Sequence, residues 1–332
     1  MADQRALIPP VANSSLENEL RARLRHIADP SGPLDQIDQL AVRVGLIQNR
    51  LGPHFSTPSL VIFAADHGLV VDNIAGHETR TTAATVHCLV TEQLPLASLS
   101  RLQGLSLMLV DSGVAEPLEP HEHLCARKIA HGTRNSRLGK AMSIEQVQAA
   151  IRAGIEIGES LDGNAVACAG IGVGSAQSAA LVLSALSKVP LLEFVDAGPS
   201  MPEGLLDHTI HVLQNVRQRH HDLSDPIELL AAMGGFEVAM MVGLMLSSSA
   251  RRFVILPDGL PACAALMVAS AVAPEVVEYC VHVRSNRLPG LDRALSLFHS
   301  GAVLGVSMDA IDGTGAALTW PLILNAAALL AD

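Results

Sequence analysis

Residues 164–186, NAVACAGIGVGSAQSAALVLSAL, decide how the chain folds. An apolar run from Asn164 to Cys168 enters a turn carrying Gly170, Gly172 and Gly174, and Ser175 then opens an Ala- and Leu-rich stretch. That is how a strand passes through glycines to a helix N-terminus, where backbone N–H groups can approach an oxyanion. Gly170, Gly172, Gly174 and Ser175 are therefore candidate binding residues, and a tight packing turn is the competing reading. The turn carries no lysine, so it is not a Walker A loop. No acidic residue ends the following strand at the spacing of a ribose reader, which argues against a dinucleotide.

The same pattern recurs along the chain. SLVIFAADHG (59–68), LSLMLVDSGV (105–114), PLLEFVDAG (190–198), RRFVILPDG (251–259) and EYCVHVRS (278–285) are short apolar runs, most of them stopping at Asp or Gly. Helix-like stretches such as SIEQVQAAIRAGIEIGESL and DPIELLAAMGGFEVAMMVGLMLSSS lie between them. This alternation predicts an α/β protein with a parallel sheet of about six strands and helices on both faces. Residues 14–51 read as two helices separated by DPSGP. The tail is expected to begin with a helix, pass through IDGTG (Ile311 to Gly315) and end in another helix. The expected division is a small helical domain, built from the helices of residues 1–55 with 300–332, and an α/β nucleotide-binding domain over 56–299. The Met-rich helix FEVAMMVGLMLSSS is assigned to the core.

Composition narrows the function. Hydrophobic residues make up 49% of the 332 but aromatics only 2%, so Ala, Leu, Val and Ile must fill the core, as in helix-covered parallel sheets. The formal charge of −11, with lysine only at 128, 140 and 188, argues against nucleic acid and against an anionic membrane. Cys88, Cys125, Cys168, Cys263 and Cys280 are scattered and odd in number, which suits a reducing cytoplasm more than a disulfide framework. MADQRALIPPVANSS lacks the pattern of a secretory leader, and no apolar run reaches spanning length.

Ligands of such sheets collect beyond the carboxyl ends of the strands, so these turns define a candidate site together. Asp66 and His67, in the ADHG that ends the first run, are read either as ligand-positioning groups or as turn architecture. His121, Glu122 and His123 lack an evident third ligand, so no metal is assigned. His220 and His221 are read as solvated. Asp312 in IDGTG is a carboxylate set ahead of a helix, with an Asx-type cap as its plainer explanation.

FAADHG, VDSGVAEPL, GTRN followed by SIEQVQAAIRAGIE, the GIG turn, SDPIELLAAMGGFEVAMMVG, ARRFVILPDGLPACAAL, RSNRLPG and DGTGAAL stand in the order, and near the spacing, of one family. From about residue 35 onward the chain resembles the nicotinate-nucleotide–dimethylbenzimidazole phosphoribosyltransferases. The resemblance implies a Rossmann-like α/β fold plus a small helical domain, a homodimer, and no metal or organic cofactor. It implies two partners in the reaction, nicotinate mononucleotide and an aromatic base. The base takes over the ribose carbon with inversion and gives the α-riboside phosphate of the cobalamin lower ligand.

It also implies roles. The family's catalytic Glu before Gly-Thr/Ser-Gly falls on Asp312, a carboxylate one methylene shorter. Ser285 matches the family serine near the nucleotide, Asp258 with Gly259 matches its strand-end DG, which the resemblance makes a candidate substrate-binding position, and Gly313 and Gly315 belong to the last motif. A second family Glu falls on Cys168, read as a small core residue. The family's Ser and Gln near the base fall on Ala75 and Ala84, its GRGTG turn on VDAGP (Val195 to Pro199), and its Lys on His208. Two further readings stay open: a catalytically impaired paralogue, acting in a heteromer or as a nucleotide- or base-binding protein, and a general dinucleotide enzyme.

Overall fold

The structure is a computed structural model that describes residues 8–27, 32, 34–74, 80–195, 204–285, 289–299, 301–306, 308 and 310–331. Five strands, β1 (Ser59–Ala65), β2 (Ser106–Gly113), β3 (Leu124–Ala126), β4 (Ala165–Ile171) and β5 (Val254–Pro257), form one parallel sheet in the order β3-β2-β1-β4-β5. Every residue of β1 and β4 is buried, which is why both read as unbroken apolar runs instead of alternating ones. The strand order reverses between β1 and β4. That junction is the crevice where open α/β sheets take their ligands.

Helices supply the crossovers. α1 (Ser14–Ile27) and α2 (Gln36–Gln48) precede the sheet; α3 (Thr82–Val90) and α4 (Pro95–Leu102) join β1 to β2; α5 (Ile144–Ser160) leads into β4. Between β4 and β5 lie α6 (Ser175–Ser187), α7 (Leu205–Arg219), α8 (Pro226–Met233) and α9 (Phe236–Ala250). α10 (Leu260–Val272), α11 (Pro289–Ser296) and α12 (Thr314–Ala328) follow. The starts are written locally. Ser143 and Gln146 close a capping box on α5, and the Asp225 carboxylate accepts from the Ile227 and Glu228 amides before Pro226 sets the first turn of α8.

α9 is the central helix. Phe236 through Ser249 are all buried, because the helix lies against β1, β2, β4 and β5 and carries α5 against it. The assignment of this Met-rich stretch to the core holds. Gly154 of α5 makes the approach close: a Cβ there would stand 1.9 Å from the Met240 carbonyl oxygen. Buried apolar side chains form one cluster from Ile8 to Leu330. α12 packs on α2 and α4, and the Trp320 ring meets Phe55 edge-on at 4.8 Å.

Several sequence expectations need correction. The main sheet has five strands, not about six. Leu191–Glu193 forms a 3-10 turn with only Leu191 buried, so the strand expected at 190–198 does not form over its described part. The run at 278–285 touches the main sheet at one bridge, Cys280 to Ile255, and then pairs Arg284–Ser285 (β6) with Leu304–Gly305 (β7) in a separate two-stranded sheet. Its peptides are spent on two different partners. The helix expected at the start of the tail is replaced by β7, and β3 was not anticipated at all. No helix among the described residues is long and apolar enough to cross a membrane.

Candidate active site

A cleft of about 510 Å³ opens at the β1/β4 junction, with Arg80, Thr82, Gly172, Ser175, Ile311 and Asp312 in its wall. Gly170 lines it as well. Gly172 has φ +147° and a Cβ on it would stand 1.7 Å from the Ala65 carbonyl oxygen, so the position admits only glycine. Asp66 braces the mouth: its carboxylate accepts from Thr82 Oγ1 and from the Ala115 amide at 2.7 Å, while the Val173 amide donates to Thr82 Oγ1 at 3.0 Å. One carboxylate thereby fixes the end of β1, the start of α3 and the glycine turn relative to one another.

Behind the turn lies a buried polar cluster. Ser175 Oγ donates to Glu237 Oε1 at 2.8 Å, and His67 Nε2 meets the same oxygen at 2.9 Å. Glu237 is completely buried in the first turn of α9, and no hydrogen bond reaches its Oε2. The turn's glycine Gly174 packs on the His67 side chain. The DHG end of β1, the GIG turn after β4 and the GGFE start of α9 thus converge on one carboxylate.

Asp312 belongs to an interlocked pair of turns. Arg284 Nε donates to Asp258 Oδ1 at 2.6 Å and its Nη2 to Asp312 Oδ1 at 2.7 Å. Asp258 Oδ2 accepts from the Gly313 and Ala316 amides at 2.8 and 3.0 Å, satisfying donors at the start of α12. A Cβ on Gly315 would stand 2.3 Å from Arg284 Cδ, so any side chain there would push the arginine out of its place between the two carboxylates. The Arg284 and Asp258 side chains are 3% and 0% exposed, whereas Asp312 is 24% exposed and reaches the cleft. Burial pushes the Asp312 carboxyl up to about 7; Arg284 opposes this rise and the neighbouring Asp258 carboxylate adds to it.

The cleft therefore assembles Gly170, Gly172, Ser175 and Asp312 directly, with His67, Gly174, Asp258, Gly313 and Gly315 behind it and Asp66 bracing its mouth. His208 and Ser285 stand elsewhere. His208 Nε2 is 2.8 Å from the Asp72 carbonyl oxygen, and Ser285 Oγ donates to Asp292 at 2.6 Å. Cys168 is wholly buried in β4 and burial pushes its thiol far up, so it behaves as a core residue. Ala75 and residues 196–199 of VDAGP lie outside the described residues. A second cleft, about 610 Å³, opens between α1, α2 and the segment around His282, and none of the candidate site residues lines it.

Sequence reasoning missed Glu237, Arg284, Arg80 and Thr82. A signal existed for the first two: Glu237 is the one charged residue within LLAAMGGFEVAMMVGLML, and Arg284 ends the apolar YCVHV run. A charge in such company is kept only when paired.

The family model described as phosphoribosyltransferase matches residues 8–332. The nicotinate-nucleotide–dimethylbenzimidazole phosphoribosyltransferase of Cupriavidus taiwanensis is 34% identical over 326 residues, covering 97% of this chain and 94% of that one. The chain belongs to this family of phosphoribosyltransferases. The phosphoribosyltransferase of the same name from Janthinobacterium is 33% identical over 315 residues, covering 94% of this chain and 91% of its own. The crystal structure of the Thermus thermophilus nicotinate-nucleotide–dimethylbenzimidazole phosphoribosyltransferase superposes with a TM-score of 0.88 at 26% identity, over 96% of both chains.

Proposed function

We propose that this phosphoribosyltransferase moves the 5-phosphoribosyl group of nicotinate mononucleotide to a benzimidazole-like base, with Asp312 as general base. The observation that carries the reading is the placement of Asp312: among the described residues it is the one carboxylate in the cleft wall, it is partly exposed, and Ser175 and the glycine turn line the same cleft. In the reaction one ring nitrogen of the base attacks the ribose C1′. The C1′–N bond breaks with its electron pair passing to the nicotinate ring, which discharges the pyridinium. The other ring nitrogen gives its proton to Asp312. Leaving from a pyridinium requires no acid, so a single carboxylate suffices.

Two features support this chemistry. A carboxyl raised to about 7 is a stronger proton acceptor than an ordinary one, and Arg284 fixes its orientation from outside the cleft. Among the described residues Arg80 is the one cation in the cleft wall, and it suits an anionic group of the nucleotide, as do the N–H groups at the first turn of α6. Asp312 is about 1.5 Å shorter in reach than a glutamate. Misplacement of about 1 Å costs on the order of a hundredfold in rate, so the acceptor must sit correspondingly deeper.

Isothermal calorimetry with nicotinate mononucleotide, followed by assay of nicotinate release across a panel of bases, tests the reading. Binding with release supports transfer. Binding without release for every base selects the impaired-paralogue reading, and absence of binding at millimolar nucleotide removes both. We further propose a cytoplasmic homodimer, which light scattering of the purified chain checks.

A further inference from the structure

We propose that Glu237 is a positioning residue that commits the Ser175 hydroxyl proton inward, so that Ser175 reads a ribose hydroxyl of the nucleotide and not its phosphate. This rests on the nucleotide reading above. A carboxylate only accepts hydrogen bonds, and a serine hydroxyl has a single proton to give. Ser175 gives its proton to Glu237 Oε1 at 2.8 Å, and what remains for the cleft is its lone pairs. The acceptor oxygen has little freedom to turn away. Glu237 is completely buried, His67 Nε2 holds the same oxygen at 2.9 Å, and the backbone at Gly235 lies so close that a Cβ there would stand 2.3 Å from Oε2. With the carboxylate as acceptor, His67 carries its ring proton on Nε2.

The consequence is a change of partner. The phosphate of the mononucleotide is mostly dianionic at neutral pH and offers a serine lone pair little to accept, and the nicotinate ring has no donor. The ribose hydroxyls are the donors a mononucleotide offers. Ser175 opens the helix after a glycine turn, which from sequence suggests an anion contact, but its proton is already spent. Phosphate recognition then falls to backbone N–H groups of α6 and to Arg80. The same geometry removes a nucleophilic role: His67 and Ser175 both bond Glu237, so His67 is not the acceptor of the serine proton.

The test uses calorimetry on the full chain and on Ser175→Ala, with four probes: nicotinate mononucleotide, its 2′-deoxy and 3′-deoxy analogues, and nicotinate riboside, which lacks the phosphate. The expected result is about tenfold weaker binding of the mononucleotide by Ser175→Ala, as for loss of one hydrogen bond. The same factor is expected for the riboside, and no loss for whichever deoxy analogue lacks the hydroxyl that is read. Glu237→Gln is expected to lower the preference for ribose over that deoxyribose by a similar factor. If Glu237→Gln does not fold, the Ser175→Ala series decides alone. A penalty that vanishes with the riboside but persists in both deoxy analogues assigns Ser175 to the phosphate and overturns the proposal, as does equal binding of all four probes by Ser175→Ala and the unaltered chain. If the unaltered chain binds none of the four, the nucleotide reading falls and this proposal with it.

Discussion

Asp312 and Arg284 carry the chemistry at the scale of single residues. With Asp312 as base, nicotinate release rises with pH through about 7 and is flat above it, falling about tenfold per unit below. Asp312→Asn is expected to reduce turnover by at least a hundredfold while nucleotide affinity changes little, as single-turnover kinetics and calorimetry would register. The same carboxyl affects stability. Its folded value of about 7 lies above the ~3.9 of an unfolded aspartate. Between those values the folded state holds a proton the unfolded state has lost, so this group's contribution to stability falls as pH rises from about 4 to about 7. The melting temperature of Asp312→Asn minus that of the unaltered chain therefore climbs across that window and then levels. Arg284→Ala leaves Asp258 buried without its cation and is expected to cost about 3–5 kcal/mol in chemical denaturation.

At the scale of elements, the legible parts were those whose signal is local. β1 and β4 are continuous apolar runs ended by Asp or Gly, and α5 and α8 announce their starts through Ser143 with Gln146 and through Asp225 with Pro226. What stayed hidden depends on partners far along the chain. β3 is three residues, two half-buried and one exposed, whose strand character comes from pairing with β2. Leu191 to Phe194 is as apolar as a strand, yet it turns after Pro190 and buries only Leu191 and Phe194. The candidate site divides in the same way. Asp312, Ser175 and the glycines are announced by their turns, whereas Glu237 meets Ser175 across 62 residues and Arg284 meets Asp258 across 26. The α5–α9 crossing gives a test at this scale. Gly154→Val would place side-chain atoms where the Met240 carbonyl lies, and is expected to destabilise the fold by about 3 kcal/mol, read by urea denaturation.

For the whole molecule, the sheet order places one crevice at the β1/β4 reversal, and its wall draws on segments far apart in the chain, around residues 80–85, 170–176 and 310–312. A ligand held between them stabilises the fold as a unit. Nicotinate mononucleotide at a hundred times its dissociation constant is expected to add about 2.7 kcal/mol to the unfolding free energy. The most direct measurement is nicotinate release from nicotinate mononucleotide with dimethylbenzimidazole, followed by chromatography for the unaltered chain and for Asp312→Asn across pH 5 to 9. With Asp312 as the base, release by the unaltered chain rises through about pH 7 and is nearly absent throughout in the variant. Equal release by the two proteins with the same pH profile would contradict it.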